Sequence, residues 1–297
     1  MQSRRDWMAA AGAASLAQGQ DREQIRIVDP HVHVWAIDRR YPFAKETKNP
    51  PTEEATPEML LDLMGQNSVS NTVIIQVIHY RWDNSYLRDV LKKYPGKFHG
   101  VARVNPEDPA APDTLAKLVQ EDGFRGVRLS PNDTAAGDWI KGPLMKPLWK
   151  RCRDLKVPMT ILAPATRMPD IAALCDKFPD LTVVIDHMAD CPLDRPDLQL
   201  KLTALKRYPK VFVKISHTWS LSKEGFPFRD TFPLVQRLHD AFGPQRLMWA
   251  TDWPISKRHA SYAQTLAVVR DSMTFLNRDD KRWMLSRTID RVWPFPG

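Results

Sequence analysis

Eight short segments of this chain are almost continuously apolar and rich in β-branched residues: 25–34, 72–78, 98–104, 124–129, 157–162, 181–186, 211–215 and 247–251. A strand with one wet face alternates apolar and polar residues, whereas a strand covered on both faces has no need to. These segments therefore belong in a parallel sheet with both faces buried. Between them lie runs with apolar residues at helical spacing. Thr56-Pro57-Glu58 supplies a cap with proline at the first helical position, ahead of Met59, Leu60, Leu63 and Met64. Other helical runs begin near Asn84, Pro112, Pro143, Pro169, Asp197, Asp230 and Ser261. Several stop at an aromatic followed by proline or glycine: Tyr94-Pro95, Phe178-Pro179, Tyr208-Pro209 and Phe242-Gly243. A last run, 279–292, has no strand after it.

Eight strand–helix units in sequence are what a (β/α)8 barrel requires. A doubly wound nucleotide-binding sheet uses the same alternation, but no glycine-rich phosphate loop follows the first strand, and the 12 glycines form no GxGxxG or Walker pattern. The expected fold is α/β, a (β/α)8 TIM barrel forming a single domain over residues 21–297. The first twenty residues differ in character. Arg4-Arg5, a short Ala-rich run and the small-residue end Ser15-Leu16-Ala17 have the order of a twin-arginine export signal, which places the mature protein in the periplasm. The competing reading is an Ala-rich N-terminal helix on a cytoplasmic protein.

With 43% apolar and 26% charged residues the chain has material for a large core, and no apolar stretch is long enough to span a bilayer. The net charge of +8 is scattered over helical segments without a dense basic run or interleaved aromatics. Neither a nucleic-acid nor a membrane partner is therefore expected, while a basic barrel mouth suits a small anionic substrate. Cys152, Cys175 and Cys191 have neither zinc-finger nor CxxC spacing and read as small core residues.

In such barrels the chemistry sits where strands end and βα loops begin. The first strand ends in His31 and His33, which share a face because side chains alternate along a strand. The second ends in His79, Tyr80, Arg81 and Trp82, the third in Arg103 and Asn105, and the fourth in Arg128 and Ser130. The fifth ends apolar, at Leu162-Ala163-Pro164. The last three end in Asp186-His187, in Lys214, Ser216 and His217, and in Thr251-Asp252-Trp253-Pro254. The longest loop, 35–55, carries Tyr41 and Phe43 and is either a lid over the mouth or a plain surface excursion.

Asp29-Pro30-His31-Val32-His33, Gly126-Val127-Arg128-Leu129, Ile185-Asp186-His187 and Trp249-Ala250-Thr251-Asp252-Trp253-Pro254, in this order across residues 25–295, resemble the amidohydrolase superfamily. The likeness is to its amidohydrolase-2 branch, which includes sugar lactonases and 2-pyrone-4,6-dicarboxylate lactonase. The resemblance implies a barrel hydrolase that opens a cyclic ester with activated water, with His31, His33, His187 and Asp252 at the reaction centre and Asp252 as general base. The alternatives are a decarboxylase of the aminocarboxymuconate-semialdehyde type and a barrel that binds an acid without turning it over. Strand four offers Arg128 where binuclear members carry a carbamylated lysine, and strand five lacks the histidine usual in members with a well-bound zinc. A dinuclear site is thus disfavoured. One divalent ion, zinc or manganese, on His31, His33 and Asp252, with His187 as a further donor, and a metal-free mechanism both stay open. Arg128 is the first candidate for gripping a carboxylate, since its planar fork makes paired hydrogen bonds. His79, His217, Arg103 and Lys214 follow. Trp82, Trp219 and Trp253 are candidate pocket walls, although aromatics in βα loops are as often packing.

Overall fold

The computed structural model describes residues 25–130 and 139–296, so the twin-arginine-like segment 1–20 lies outside the described residues. Eight strands form in the expected places: β1 (Ile27–Val32), β2 (Val69–Ile75), β3 (Phe98–Val101), β4 (Val127–Leu129), β5 (Met159–Ile161), β6 (Val183–Ile185), β7 (Val211–Ile215) and β8 (Leu247–Trp249). All pairings are parallel, in the runs β1-β2-β3 and β4 through β8. Parallel bridges Ala102–Val127 and Val32–Trp253 join the edges of the two runs, which gives the cyclic strand order of the barrel. Six strands are shorter than their apolar runs: β4, β5 and β6 lose residues mainly at their starts, β3 and β8 at the ends that approach the mouth, and β1 at both ends. The second segment moves most: Ile78-His79-Tyr80 is a turn of 3-10 helix and not strand. No helix among the described residues is long and apolar enough to cross a membrane.

Alternate residues of each strand enter two different cores. Val28, Val73, Ile75, Val101, Val184, Phe212 and Met248 fill the barrel interior, closed from one end by Ile289, Trp293 and Phe295 of the C-terminal segment. Ile27, Ile74, Val183, Ile185, Val211 and Val213 face the surrounding helices. Two residues beyond the apolar interior layer stand Arg103, Asp186 and Lys214, all 0% exposed. A polar layer therefore rests directly on an apolar plug. β1 breaks the parity: Asp29 pairs with Thr72 but Val32 with Ile74, so one extra residue is inserted. This bulge, at a proline that has no N–H to give, turns His31 and His33 to the interior even though Val28 already faces it.

Candidate active site

The floor of the site is a buried charge cluster. Asp186, at the end of β6, lies 3.0 Å from Lys214 Nζ and accepts a 3.0 Å hydrogen bond from Arg128 Nε. Burial opposes ionisation of Asp186, yet Lys214, His31 and Arg128 hold its carboxyl well below the usual range. Lys214 also lies 3.1 Å from His31 Nδ1. Burial, then the Lys214 charge, push the His31 imidazole down to about 3, so this ring is neutral at any physiological pH.

Above the floor four imidazoles surround one carboxylate. His33 Nδ1 donates to the Ile75 carbonyl at 2.7 Å, which leaves its Nε2 lone pair facing inward. That Nε2 is 3.2 Å from Asp252 Oδ1, and His31 Nε2 is 3.4 Å from the same oxygen. The His187 ring lies 4.5 Å from His31, with its Nδ1 2.8 Å from Ser216 Oγ. Asp252 Oδ2 accepts from His217 Nε2 at 2.9 Å, and His217 Nδ1 donates to Asp190 Oδ1 at 2.9 Å. The His217 ring stacks on His187 at 3.5 Å. Burial opposes a charge on His217, but the two carboxylates outweigh it and raise its pKa to about 9. Burial likewise opposes ionisation of Asp252, and the hydrogen bond from His217 with the surrounding imidazoles overcomes it, holding the carboxyl well below its usual range.

The backbone that presents these groups is left-handed. His187, Met188, Ala189 and Asp190 have φ of 52°, 52°, 56° and 42°, His217 60° and Asp252 58°, and none is glycine. Each such residue costs about 1–2 kcal/mol and persists only where the surroundings impose it. Asp29 supplies part of that imposition. It is 0% exposed and accepts from the His31 amide, from the Thr251 amide and hydroxyl (3.1, 3.2 and 2.5 Å) and from Tyr262 OH at 2.9 Å, tying β1 to the loop that carries Asp252. Burial raises its pKa to about 6 despite these bonds.

A divalent cation fits this centre. One donor atom from each of His31, His187 and Asp252 lies within 4.8 Å of the others, and buried Asp252 Oδ1 has no hydrogen-bond donor. Of the expected set of His31, His33 and Asp252 with His187 as a further donor, the structure groups His31, His187 and Asp252 and leaves His33 out.

The expected substrate-binding residues divide. His217 joins the centre directly. Arg128 is 5% exposed and spends its Nε on Asp186. Arg103 is 0% exposed, with Nη2 donating to Ser130 Oγ and the guanidinium 5.9 Å from the Trp82 ring. Trp253 is 2% exposed and contributes backbone, its carbonyl accepting from the His33 amide at 2.7 Å. His79 is half-buried, its pKa lowered by burial and then by His33. It lines a 610 Å³ cavity with Trp35, Glu53, Pro254, Lys257 and Arg258. The 35–55 excursion is one wall of this cavity. It is closed by Trp35–Ala55 backbone bonds of 2.8 and 3.1 Å and fastened to the body through Tyr41 OH to Asp89 at 2.7 Å. Sequence reasoning missed Asp190, Tyr262 and the Lys257–Arg258 turn. Asp190 carries no local signal, since its role depends on the left-handed turn that no glycine announces.

A parallel barrel with buried imidazoles and a carboxylate at the C-terminal ends of its strands defines a hydrolytic type of barrel centre. The chain belongs to the amidohydrolase family, whose pattern it matches over residues 28–295. It is 28% identical to an L-fucono-1,5-lactonase of Burkholderia ambifaria over 237 residues, 77% of this chain and 81% of that one. It is also 28% identical to a 2-pyrone-4,6-dicarboxylate hydrolase of Comamonas testosteroni, over 76% of each chain. A solved amidohydrolase from Burkholderia multivorans with bound zinc shares the fold at a TM-score of 0.76 and 21% identity, covering 91% of this chain and 100% of that one.

Proposed function

We propose that this protein is a lactonase, opening a cyclic ester by attack of water on its carbonyl carbon. The observation that carries the reading is Asp252. One oxygen is clamped by His217, and the other is buried among the imidazoles without a donor. Trp35 and Pro254, two residues beyond His33 and Asp252 respectively, line a 610 Å³ cavity. Lactone-opening names among the relatives support it. Leu162-Ala163-Pro164 offers no strand-five ligand, which counts against decarboxylation.

Asp252 Oδ1 takes a proton from water as the new C–O bond forms, and returns it to the ring oxygen as the ester C–O bond breaks. The charged His217 keeps the carboxylate ionised and fixes its orientation, while His31, His33 and His187 line the space beside it. A divalent ion held by His31, His187 and Asp252 would supply Lewis-acid polarisation of that oxygen. Purified protein should open members of a lactone panel (aldono-1,5-lactones, pyrone dicarboxylates, muconolactones) read by a pH indicator, before and after chelation and with added zinc or manganese. Failure on every lactone, with carbon dioxide released from carboxylated aromatics, would replace the reading by decarboxylation. Export by the Arg4-Arg5 segment belongs to the same proposal, and cell fractionation that finds the protein in the cytoplasm would remove it.

A further inference from the structure

The cavity beside the site has a feature that ester hydrolysis does not use. Lys257 and Arg258 are consecutive on the short 3-10 turn Ile255–Arg258 and both line the cavity wall. This turn is built on Asp252 itself: the Ser256 amide donates to the Asp252 carbonyl at 3.2 Å, and the Ala260 amide to the Ser256 carbonyl at 2.9 Å. Ser256 is buried, and His259, which follows Arg258, stacks on Trp219 at 4.8 Å. The backbone that carries the two cations is therefore tied to the backbone of the residue that carries the carboxylate.

Neither cation is committed. Lys257 Nζ is 3.7 Å from Glu53 Oε2, a side chain 84% exposed, so the pair is loose and screened by water. Arg258 forms no ion pair or side-chain hydrogen bond among the described residues. The neighbouring Glu54 is occupied elsewhere, accepting from the Ile37 amide at 3.2 Å. The same cavity is lined by the half-buried His79 and by Trp35, whose rings meet edge to face at 5.9 Å.

We propose that Lys257 and Arg258 form the subsite for a carboxylate or sulfonate substituent on the substrate ring, held away from the ester that Asp252 attacks. It rests on the lactonase reading for the identity of the ring, though not for the anion. Arg128, the residue that sequence favours for this task, is held by Asp186 in the barrel floor, and the β8 turn takes its place.

The test compares the wild type with Lys257→Gln, Arg258→Gln, the double variant and Lys257→Arg. The kcat/KM ratio for a carboxylated over a neutral lactone should fall about tenfold in the double variant and hold in Lys257→Arg, as loss of two solvent-facing ion pairs implies. A ratio unchanged in the double variant, or a wild type that turns over neutral lactones only, overturns the subsite. Calorimetry with cyclohexane-1,3-dicarboxylate, which has no ester to cleave, separates the two proposals. Weakening of this binding by about tenfold in the double variant supports the subsite even if no lactone is opened. Equal binding to wild type and double variant, or none to the wild type, overturns it. Unchanged far-UV circular dichroism and melting of the variants exclude misfolding.

Discussion

Asp252, His31, His33 and His187 were legible as a set because the first, sixth and eighth strands each end in a short polar motif. Their division of labour was not. Replacing the Asp252 carboxylate by an amide removes the proton acceptor, so Asp252→Asn should lower kcat/KM by about 10²–10⁴ with the far-UV spectrum unchanged. Retained turnover would remove Asp252 as the base. His217 makes a prediction about stability. Its pKa is raised to about 9 in the folded state, against about 6.5 for a free imidazole. A raised folded pKa means that the folded state holds the proton more tightly. The stabilisation is thus fully present below about pH 6.5 and is lost as pH rises through about 9. Denaturant midpoints should fall over that window in the wild type and stay flatter in His217→Gln; equal slopes would show that His217 is not held between Asp190 and Asp252.

At the scale of the element, the left-handed turn His187–Asp190 decides which groups meet. Ala189 is fully buried at φ 56°. A β-branched side chain there meets both the backbone and the core, so Ala189→Val should cost about 2–4 kcal/mol in denaturant unfolding and Ala189→Gly less than about 1 kcal/mol. A tolerated valine would contradict the turn. Sequence gave no warning of this geometry, because the usual marker of positive φ is glycine and the turn contains none. The bulge at Pro30 was also hidden. Alternation correctly put His31 and His33 on one face, but which face depended on an inserted residue that only pairing with β2 reveals. The helices and strands themselves were readable, since burial on two faces and a 3.6-residue period leave marks within a few residues.

Over the whole molecule, the site stands on the plug beneath it. Trp293 is 1% exposed, its indole donates to the Arg125 carbonyl at 3.0 Å, and its ring lies 5.3 Å from Lys214 Nζ, so the C-terminal segment supports the charged floor. Trp293→Ala should cost about 3–5 kcal/mol in chemical denaturation and weaken activity by loosening Lys214 and His31. A loss of less than about 1 kcal/mol would show that the plug is dispensable. The sequence by itself determined the eight-fold alternation, the order of the strands and the identity of the central imidazoles and carboxylate, because each of these is written in local periodicity or in a short motif. Only the tertiary structure decided that Arg128 serves Asp186, that Asp190 reaches His217, and that Lys257 and Arg258 share a cavity with His79. Those pairings join residues from different strands and loops, and closure of the barrel, which no local pattern encodes, sets the distances between them.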